Sequence, residues 1–210
     1  MLLAPSLAAG VVATRGQRPS GRNATLVAAL AGSTVGDWYM NASGRAASDE
    51  ARRRALTRRG AGAFAVQQAG LVRLLLADGA RPRGVPSAVV GGTLVGLAVV
   101  DTLAHGGEAD PVLSGYGVLL GSMTTLATSD GMSPRGRRAV ALGGGLFLLS
   151  DATIVLGEHL AKSSRHEVVV SGIVMATYAA ALALLVHGLR DEPVRDDTSH
   201  PTNSPKGSPA

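Results

Sequence analysis

Two aspartates stand inside long stretches of sequence that otherwise carry no charge. Asp37 is the only Asp, Glu, Lys or Arg of residues 23–44, and Asp151 is the only one of residues 139–157. Carboxyl groups donate and accept protons, so they serve general acid–base chemistry. Charged groups in apolar segments are costly and usually line a cavity. Both aspartates are therefore candidate catalytic residues, and a structural polar contact between helices is the alternative.

The elements that carry these aspartates are predicted to be membrane helices. Hydrophobic residues make up 46% of the 210 residues and charged residues only 17%, whereas soluble domains carry about 25% charged residues. Uncharged runs cover 22 positions at residues 168–189, 19 at 111–129 and 17 at 84–100. A membrane helix needs about 17–25 mainly apolar residues. We predict seven spans, near residues 1–14, 23–42, 60–77, 86–104, 112–129, 138–157 and 168–189.

The predicted fold class is an all-α, polytopic transmembrane helix bundle of about seven spans. Only helices and closed barrels satisfy backbone groups in lipid, and these runs lack the alternation of barrel strands. The bundle occupies residues 1–190, and the Asp-, Pro- and Ser-rich tail 191–210 is expected to be disordered. Residues 1–14 could instead be a secretory signal peptide, but no basic residues precede their apolar run. Polar loops are expected over residues 43–59 and 78–85.

Composition excludes several other kinds of site. The sequence has no Cys, which rules out a disulfide scaffold, a Cys zinc site and a thiol nucleophile. The net charge of +5 comes mostly from arginine clusters between apolar stretches, without interleaved aromatic or amide residues, so we expect no nucleic-acid partner. Neither a metal nor another cofactor is expected, because no histidines have metal-ligand spacing and no phosphate-cradling glycine loop opens a helix. The bilayer of the cell membrane is the expected environment of an integral, multi-pass protein, and the oligomeric state is not predicted.

The two aspartates are predicted to lie at similar depth. Asp37 is about fifteen positions into the second span, and Asp151 is about fourteen into the sixth. Both spans are even-numbered and cross in the same direction, so we expect the carboxylates to face the bundle interior and to share one pocket. Lys and Arg number eleven in the tail and the loops after odd-numbered spans, against eight after even-numbered spans. This asymmetry favours the first side as cytoplasmic.

Small residues surround both aspartates. Ser33 lies one helical turn before Asp37, and Gly36 directly precedes it. Ser150 directly precedes Asp151. Small residues of this kind permit close contact between membrane helices.

Three further polar residues lie within the third span. Gln67 and Gln68 are adjacent amides near its middle, and they predict either a polar cavity or an interhelical hydrogen bond. Arg73 lies close to the end of the span and is expected to snorkel to the interface. An ion pair with a lipid phosphate is the alternative for Arg73.

Both aspartates end short sequence motifs. Residues Ser33–Asp37 read STVGD, and residues Leu146–Asp151 read LFLLSD. They resemble the S-x-x-G-D and L-F-x-x-S-D motifs of the YhhN-like family, the lysoplasmalogenase-like membrane proteins. Residues Ala4–Leu7 look like a degraded form of the K-P-L-T start of the family's second span. The resemblance covers roughly residues 1–190 and implies seven spans where the family usually has eight.

The chain departs from the family pattern at three polar positions. After Phe64 the pattern places a His and then a Tyr, where this chain has Gln68 and Leu71. Tyr178 resembles the Tyr of a Y-x-x-x-Q pattern in the last span, but Leu182 occupies the Gln position. Polar groups that could orient a carboxylate or a water are therefore missing there.

The resemblance implies hydrolysis of the vinyl-ether bond of a lysoplasmalogen, a lipid substrate, with Asp37 and Asp151 as the catalytic pair. One carboxyl would stay protonated and the other ionised, as in two-carboxylate glycosidases. Phe147 and Leu148 flank Asp151 and make it the better candidate for the acid. We expect substrate contacts from six residues: Ser33, Gly36, Gln68, Phe147, Ser150 and Tyr178.

A non-enzymatic membrane protein is the competing class. Such a protein would bind or transport a lipid or a small solute, with the aspartates as structural or proton-linked groups. The missing His and Gln partners favour this class, and the retained aspartate pair opposes it.

Overall fold

Seven α-helices make up the part of the chain that the computed structural model describes, which is residues 3–13, 20–46, 48–104, 109–129, 134–160 and 164–190. They are α1 Leu3–Ala13, α2 Ser20–Arg45, α3 Glu50–Ala77, α4 Gly84–Ala104, α5 Pro111–Ala127, α6 Pro134–Leu160 and α7 Ser164–Arg190. The predicted all-α fold class is confirmed, and each predicted span overlaps one helix. The tail 191–210, predicted to be disordered, lies outside the described residues.

Helix α3 begins earlier than the sequence predicts. The prediction of a polar loop over residues 43–59 is wrong for most of that range, because α3 already begins at Glu50. The Asp49 side chain caps this helix by accepting a hydrogen bond from a backbone amide at 3.0 Å. Glu50 forms ion pairs with Arg53 and Arg54 in the first turn. Caps and charge pairs of this kind stabilise a helix in water, so α3 extends beyond its apolar part.

The helices have the character of a membrane protein. Three of them, α3, α6 and α7, contain segments long and apolar enough to cross a membrane, and α1 and α4 contain shorter apolar segments. Large apolar side chains cover the outside of the bundle, and Val85, Leu103 and Val168 are 77%, 74% and 73% exposed. A surface of this kind suits lipid rather than water. The number of spans, seven, stays a prediction.

Two helical hairpins form the centre of the bundle. Helix α2 packs along α3, and α6 packs along α7, while α5 contacts both α3 and α6. Glycines allow the close approach: a Cβ on Gly32 would lie 2.8 Å from the carbonyl oxygen of Ala63, and one on Gly188 would lie 2.8 Å from that of Gly136. Backbones this close fix the register of the paired helices. Among the fully buried large side chains of this core are Leu30, Leu71, Leu120, Met123, Phe147 and Leu185.

Ion pairs join the helices at both ends of the bundle. At one end, the Arg22 guanidinium donates to the Asp78 carboxylate (Nη2 to Oδ2, 2.8 Å) and to the Leu189 carbonyl at 2.9 Å. At the other end, Arg58 of α3 pairs with Asp110, which caps α5. Burial raises the pKa of Asp110, but the Arg58 guanidinium and the capped backbone amides outweigh this effect and hold the pKa below its usual range. Both pairs connect segments that are distant in sequence.

Replacing Gly188 by alanine tests the close packing of α6 and α7. Gly188→Ala is expected to destabilise the bundle by about 1–3 kcal/mol, the usual cost of overpacking, because its Cβ would meet Val140 and the Gly136 carbonyl. Gly172→Ala in the same helix is the control, since nothing lies within 4 Å of its Cβ position. It should be neutral or stabilising, because alanine favours helix. Unfolding in detergent micelles, followed by circular dichroism, measures both variants, and equal stability would contradict the packing.

Candidate functional site

Tyr178 of α7 lies at the centre of a polar cluster inside the bundle. Its hydroxyl forms a hydrogen bond with the buried Ser33 hydroxyl of α2. The same hydroxyl interacts with the half-buried Asp37 carboxylate, one turn further along α2. One tyrosine hydroxyl thus contacts both polar ends of the STVGD motif.

A second tyrosine holds the other carboxylate. The Tyr116 hydroxyl of α5 donates a hydrogen bond to Oδ2 of Asp151 on α6. Tyr116 and Asp151 both interact electrostatically with Tyr178. Each carboxylate thus has its own tyrosine hydroxyl as a neighbour, and four helices supply the groups.

Aromatic rings surround these hydroxyls. The Tyr178 ring lies edge to face against Phe64 and Phe147, with centroid distances of 6.1 Å and 5.6 Å. The Phe64 ring lies 6.3 Å from that of Tyr116. Contacts of this kind orient aromatic rings, so the tyrosine hydroxyls are directed at the carboxylates between apolar walls.

Four of the six predicted substrate-contact residues lie in this cluster, namely Ser33, Gln68, Phe147 and Tyr178. Gly36 instead lies against the Phe64 ring, where a Cβ would come within 2.9 Å, so it makes room for that ring. The Ser150 hydroxyl donates to the Val174 carbonyl at 3.2 Å. Ser150 therefore joins α6 to α7 and does not face the carboxylates.

Two buried amides border the cluster on α3. Gln67 and Gln68 are each 0% exposed, and among the described residues neither amide has a hydrogen bond of normal geometry. The Gln68 side chain lies next to the Tyr116 hydroxyl. A buried polar group without a partner costs about 1–3 kcal/mol, and such groups usually bind water or a ligand. Of the two alternatives that the sequence allows, the amides without hydrogen bonds agree with a polar cavity, and the approach of Gln68 to Tyr116 of α5 agrees with an interhelical contact.

Leucines occupy two of the positions where the family pattern has polar residues. Leu71 and Leu182 are each 1% exposed and belong to the apolar core. The site therefore has an apolar wall where the pattern predicts a Tyr and a Gln. The described hydroxyl partners of the carboxylates come instead from Tyr116 and Tyr178.

Tyr116 and Phe64 are the cluster residues that the sequence reasoning does not assign to the site. The chain contains only three Tyr and two Phe. Four of these five rings lie at the cluster, and only Tyr39 does not. The scarcity of such rings in apolar segments is the signal that could have identified them.

Carboxyl, hydroxyl and amide groups supply the chemistry of this site. Within the described part of the chain, no three His, Cys, Asp or Glu side chains are grouped as metal ligands would be. Two carboxyls in different surroundings can divide between a protonated and an ionised role. The amides of Gln67 and Gln68 can bind a water or another neutral polar group.

Fold and site together define a helical membrane protein with a two-aspartate cluster inside an apolar bundle. The chain belongs to the YhhN family, whose sequence profile matches residues 1–189. The resemblance seen in the two aspartate motifs is thus confirmed. No curated protein and no solved structure matches the chain.

Removing the Tyr116 hydroxyl tests the partnership with Asp151. Tyr116→Phe is expected to destabilise the bundle by about 1–3 kcal/mol, because it leaves Asp151 Oδ2 without its donor. Tyr39→Phe is the control, since Tyr39 contacts the Trp38 ring and has no side-chain hydrogen bond among the described residues. Unfolding free energies in micelles measure both, and an unchanged Tyr116→Phe variant would contradict the partnership.

Replacing a buried amide by an apolar side chain of similar shape tests the polar cavity. Gln67→Met is expected to stabilise the ligand-free protein by about 1–3 kcal/mol, because it removes a buried group that lacks a partner. Asn41→Leu is the control at an exposed position of α2 and should change stability by less than about 0.5 kcal/mol. The same unfolding measurement applies, and a Gln67→Met variant less stable than wild type would show that the amide has a structural partner.

Proposed function

We propose that this protein hydrolyses the vinyl-ether bond of lysoplasmalogen-type lipids and that Asp37 and Asp151 are its catalytic groups. One observation carries this proposal: inside an apolar bundle, Asp37 has Tyr178 and Asp151 has Tyr116 as its hydroxyl neighbour, and the rings of both tyrosines pack on Phe64. Membership of the YhhN family supports it. The expected substrate partner is thus a lipid that reaches the site from the bilayer.

The reaction needs an acid and an activated water. Proton transfer to the β-carbon of the vinyl ether gives an oxocarbenium ion. Water adds to the cationic carbon and loses a proton, which forms a hemiacetal. The hemiacetal then collapses, releasing a fatty aldehyde and a glycerophospho-headgroup that regains the proton on its hydroxyl. The net reaction consumes one water, and the catalyst is regenerated.

Two carboxyl groups in different states meet these needs. We assign the acid to Asp151, because the Tyr116 hydroxyl occupies only its Oδ2, and Phe147 and Tyr178 supply apolar walls nearby. The second oxygen can then carry the proton that is transferred. Asp37 in its ionised form would stabilise the oxocarbenium ion and accept the proton of the attacking water.

The neighbouring polar groups fit supporting roles. The Gln68 amide, buried beside Tyr116, can orient the attacking water, since it both donates and accepts hydrogen bonds. Tyr178, whose hydroxyl is hydrogen-bonded to Ser33, would hold Asp37 in place. Gln68 cannot exchange a proton, so its contribution should be smaller than that of either aspartate.

A non-enzymatic protein that binds or transports a lipid or small solute is the second candidate function. The observation that favours it is the apolar wall formed by Leu71 and Leu182. These positions lack the polar residues that the family pattern predicts. In this case the aspartates would serve as structural or proton-linked groups.

Aldehyde release from lysoplasmalogen tests the proposal. Asp37→Asn and Asp151→Asn should each lower turnover by about 10²–10⁴-fold or more, the typical contribution of a general acid or base, because asparagine keeps the shape but neither donates an acid proton nor carries the charge. Asp49→Asn is the control: Asp49 caps α3, and asparagine caps helices equally well. An ester-linked lysophospholipid serves as the substrate control.

Two outcomes would count against the proposal. A folded, detergent-stable wild type that releases no aldehyde would favour the non-enzymatic function. Equal rates for wild type and both asparagine variants would reject the catalytic roles of Asp37 and Asp151.

A further inference from the structure

A groove separates α3 from α4, on the half of the bundle away from the aspartates. The two helices follow each other in sequence but make little direct contact, and α5 forms the floor between them. The groove has a volume of about 520 Å³, within the range of about 300–1,000 Å³ typical of small-molecule sites. Its apolar lining includes Val72, Leu76, Val90, Leu94, Val118 and Leu126. No residue of the aspartate cluster lines it, so the inference goes beyond the proposed function.

A missing side chain on α4 helps to create this space. Gly91 of α4 lines the groove, whereas Gly121 of α5, which also lines it, makes room for the Leu94 side chain. A Cβ on Gly91 would meet nothing within 4 Å. The lining from Ser87 to Leu94 extends over about 10 Å at the helical rise of 1.5 Å per residue. The lining on α4 therefore follows the helix over about two turns.

The groove also has polar lining residues, which are Ser122 and Thr125 on α5 and Ser87 at its loop end, near residues 78–83. Ser87 lines the groove there, and its hydroxyl oxygen is buried without a hydrogen-bond partner among the described residues. Arg73 of α3 is exposed beside the groove residues Val72 and Leu76, and none of the described ion pairs involves it. Arg81 is also exposed, and its guanidinium donates to a backbone carbonyl and not to a carboxylate. This end therefore offers one hydroxyl donor and two cations without carboxylate partners.

We propose that the groove binds one molecule of an anionic glycerophospholipid. An acyl chain would lie along the apolar lining, an ester carbonyl would accept a hydrogen bond from Ser87, and the phosphate would pair with Arg73 and Arg81. Long arginine side chains place their charge at the headgroup level while the stem stays in the apolar layer. The loops at this end belong to the side with eleven rather than eight basic residues, and the cytoplasmic leaflet is rich in anionic lipid.

Lipid binding by the protein tests the site. The delipidated protein in detergent is titrated with dioleoyl phosphatidylglycerol or dioleoyl phosphatidylcholine, and bound lipid is counted by native mass spectrometry. We expect one phosphatidylglycerol to bind more tightly than phosphatidylcholine. Arg73→Gln should weaken phosphatidylglycerol binding about fivefold, the effect of one basic residue near an anionic lipid, and should weaken phosphatidylcholine binding less, because the choline ammonium offsets the charge of its phosphate. Arg138→Gln, at an exposed position of α6 on the same side, is the charge control.

Filling the groove separates a specific site from general lipid contact. Gly91→Leu should abolish retention of both lipids, whereas Gly92→Leu should not, because Gly92 is equally open but does not line the groove. Val118→Trp should likewise abolish retention of both lipids, and Val95→Trp is its control. The two valines are 67% and 65% exposed, and of the two only Val118 lines the groove. This second pair applies if a glycine variant fails to fold.

The proposal is overturned by any of three results. The first is equal retention of the two lipids by wild type. The second is unchanged phosphatidylglycerol binding in Arg73→Gln. The third is equal lipid retention by the groove-filling variants and their controls. This third result includes the case in which a second copy of the chain occupies the groove, which the mass spectrum would show as a dimer.

Discussion

A carboxylate inside an apolar bundle must be hydrogen-bonded or paired, and the arrangement of this protein depends on that requirement. Asp37 and Asp151 reach their hydroxyl partners, Tyr178 and Tyr116, only across helix interfaces. Helix α2 therefore needs α7, and α6 needs α5. Apolar packing alone is non-directional, so this network selects the rotation of each helix about its axis.

Glycine contacts in the two hairpins supply the register that these hydrogen bonds need. Gly32 brings α2 against the backbone of α3, and its neighbour Ser33 then lies against α7. On α6, a Cβ at Gly143 would come within 3.0 Å of a backbone carbonyl of α7. Asp151 lies about two turns further along the same helix, so this contact sets the height at which Asp151 approaches Tyr178.

The sequence predicts features that follow from the order of residues along the chain. It misses features that arise only where two helices meet. Long uncharged runs identify the helices, but residues 50–59 carry five arginines and read as a loop, although they are helical. Asp151 is visible as a charge in an apolar run. Tyr116 is not, because its role arises only where α5 meets α6. Ser150 is predicted to contact the substrate because it is next to Asp151 in sequence. Successive residues of a helix point about 100° apart, and the Ser150 hydroxyl donates to a backbone carbonyl of α7.

The unused hydrogen-bonding capacity of the site indicates what kind of ligand it suits. The carboxylates have tyrosine partners, whereas the amides of Gln67 and Gln68 have no hydrogen bonds of normal geometry among the described residues. A neutral amide both donates and accepts hydrogen bonds and does not compensate a charge. Amides without hydrogen-bond partners are therefore better suited to bind water or the glycerol hydroxyl of a single-chain lipid than to bind an ion. Leu71 and Leu182 offer such a water no polar partner, so it would lie at the buried amides, where Gln68 is next to the Tyr116 hydroxyl that donates to Asp151.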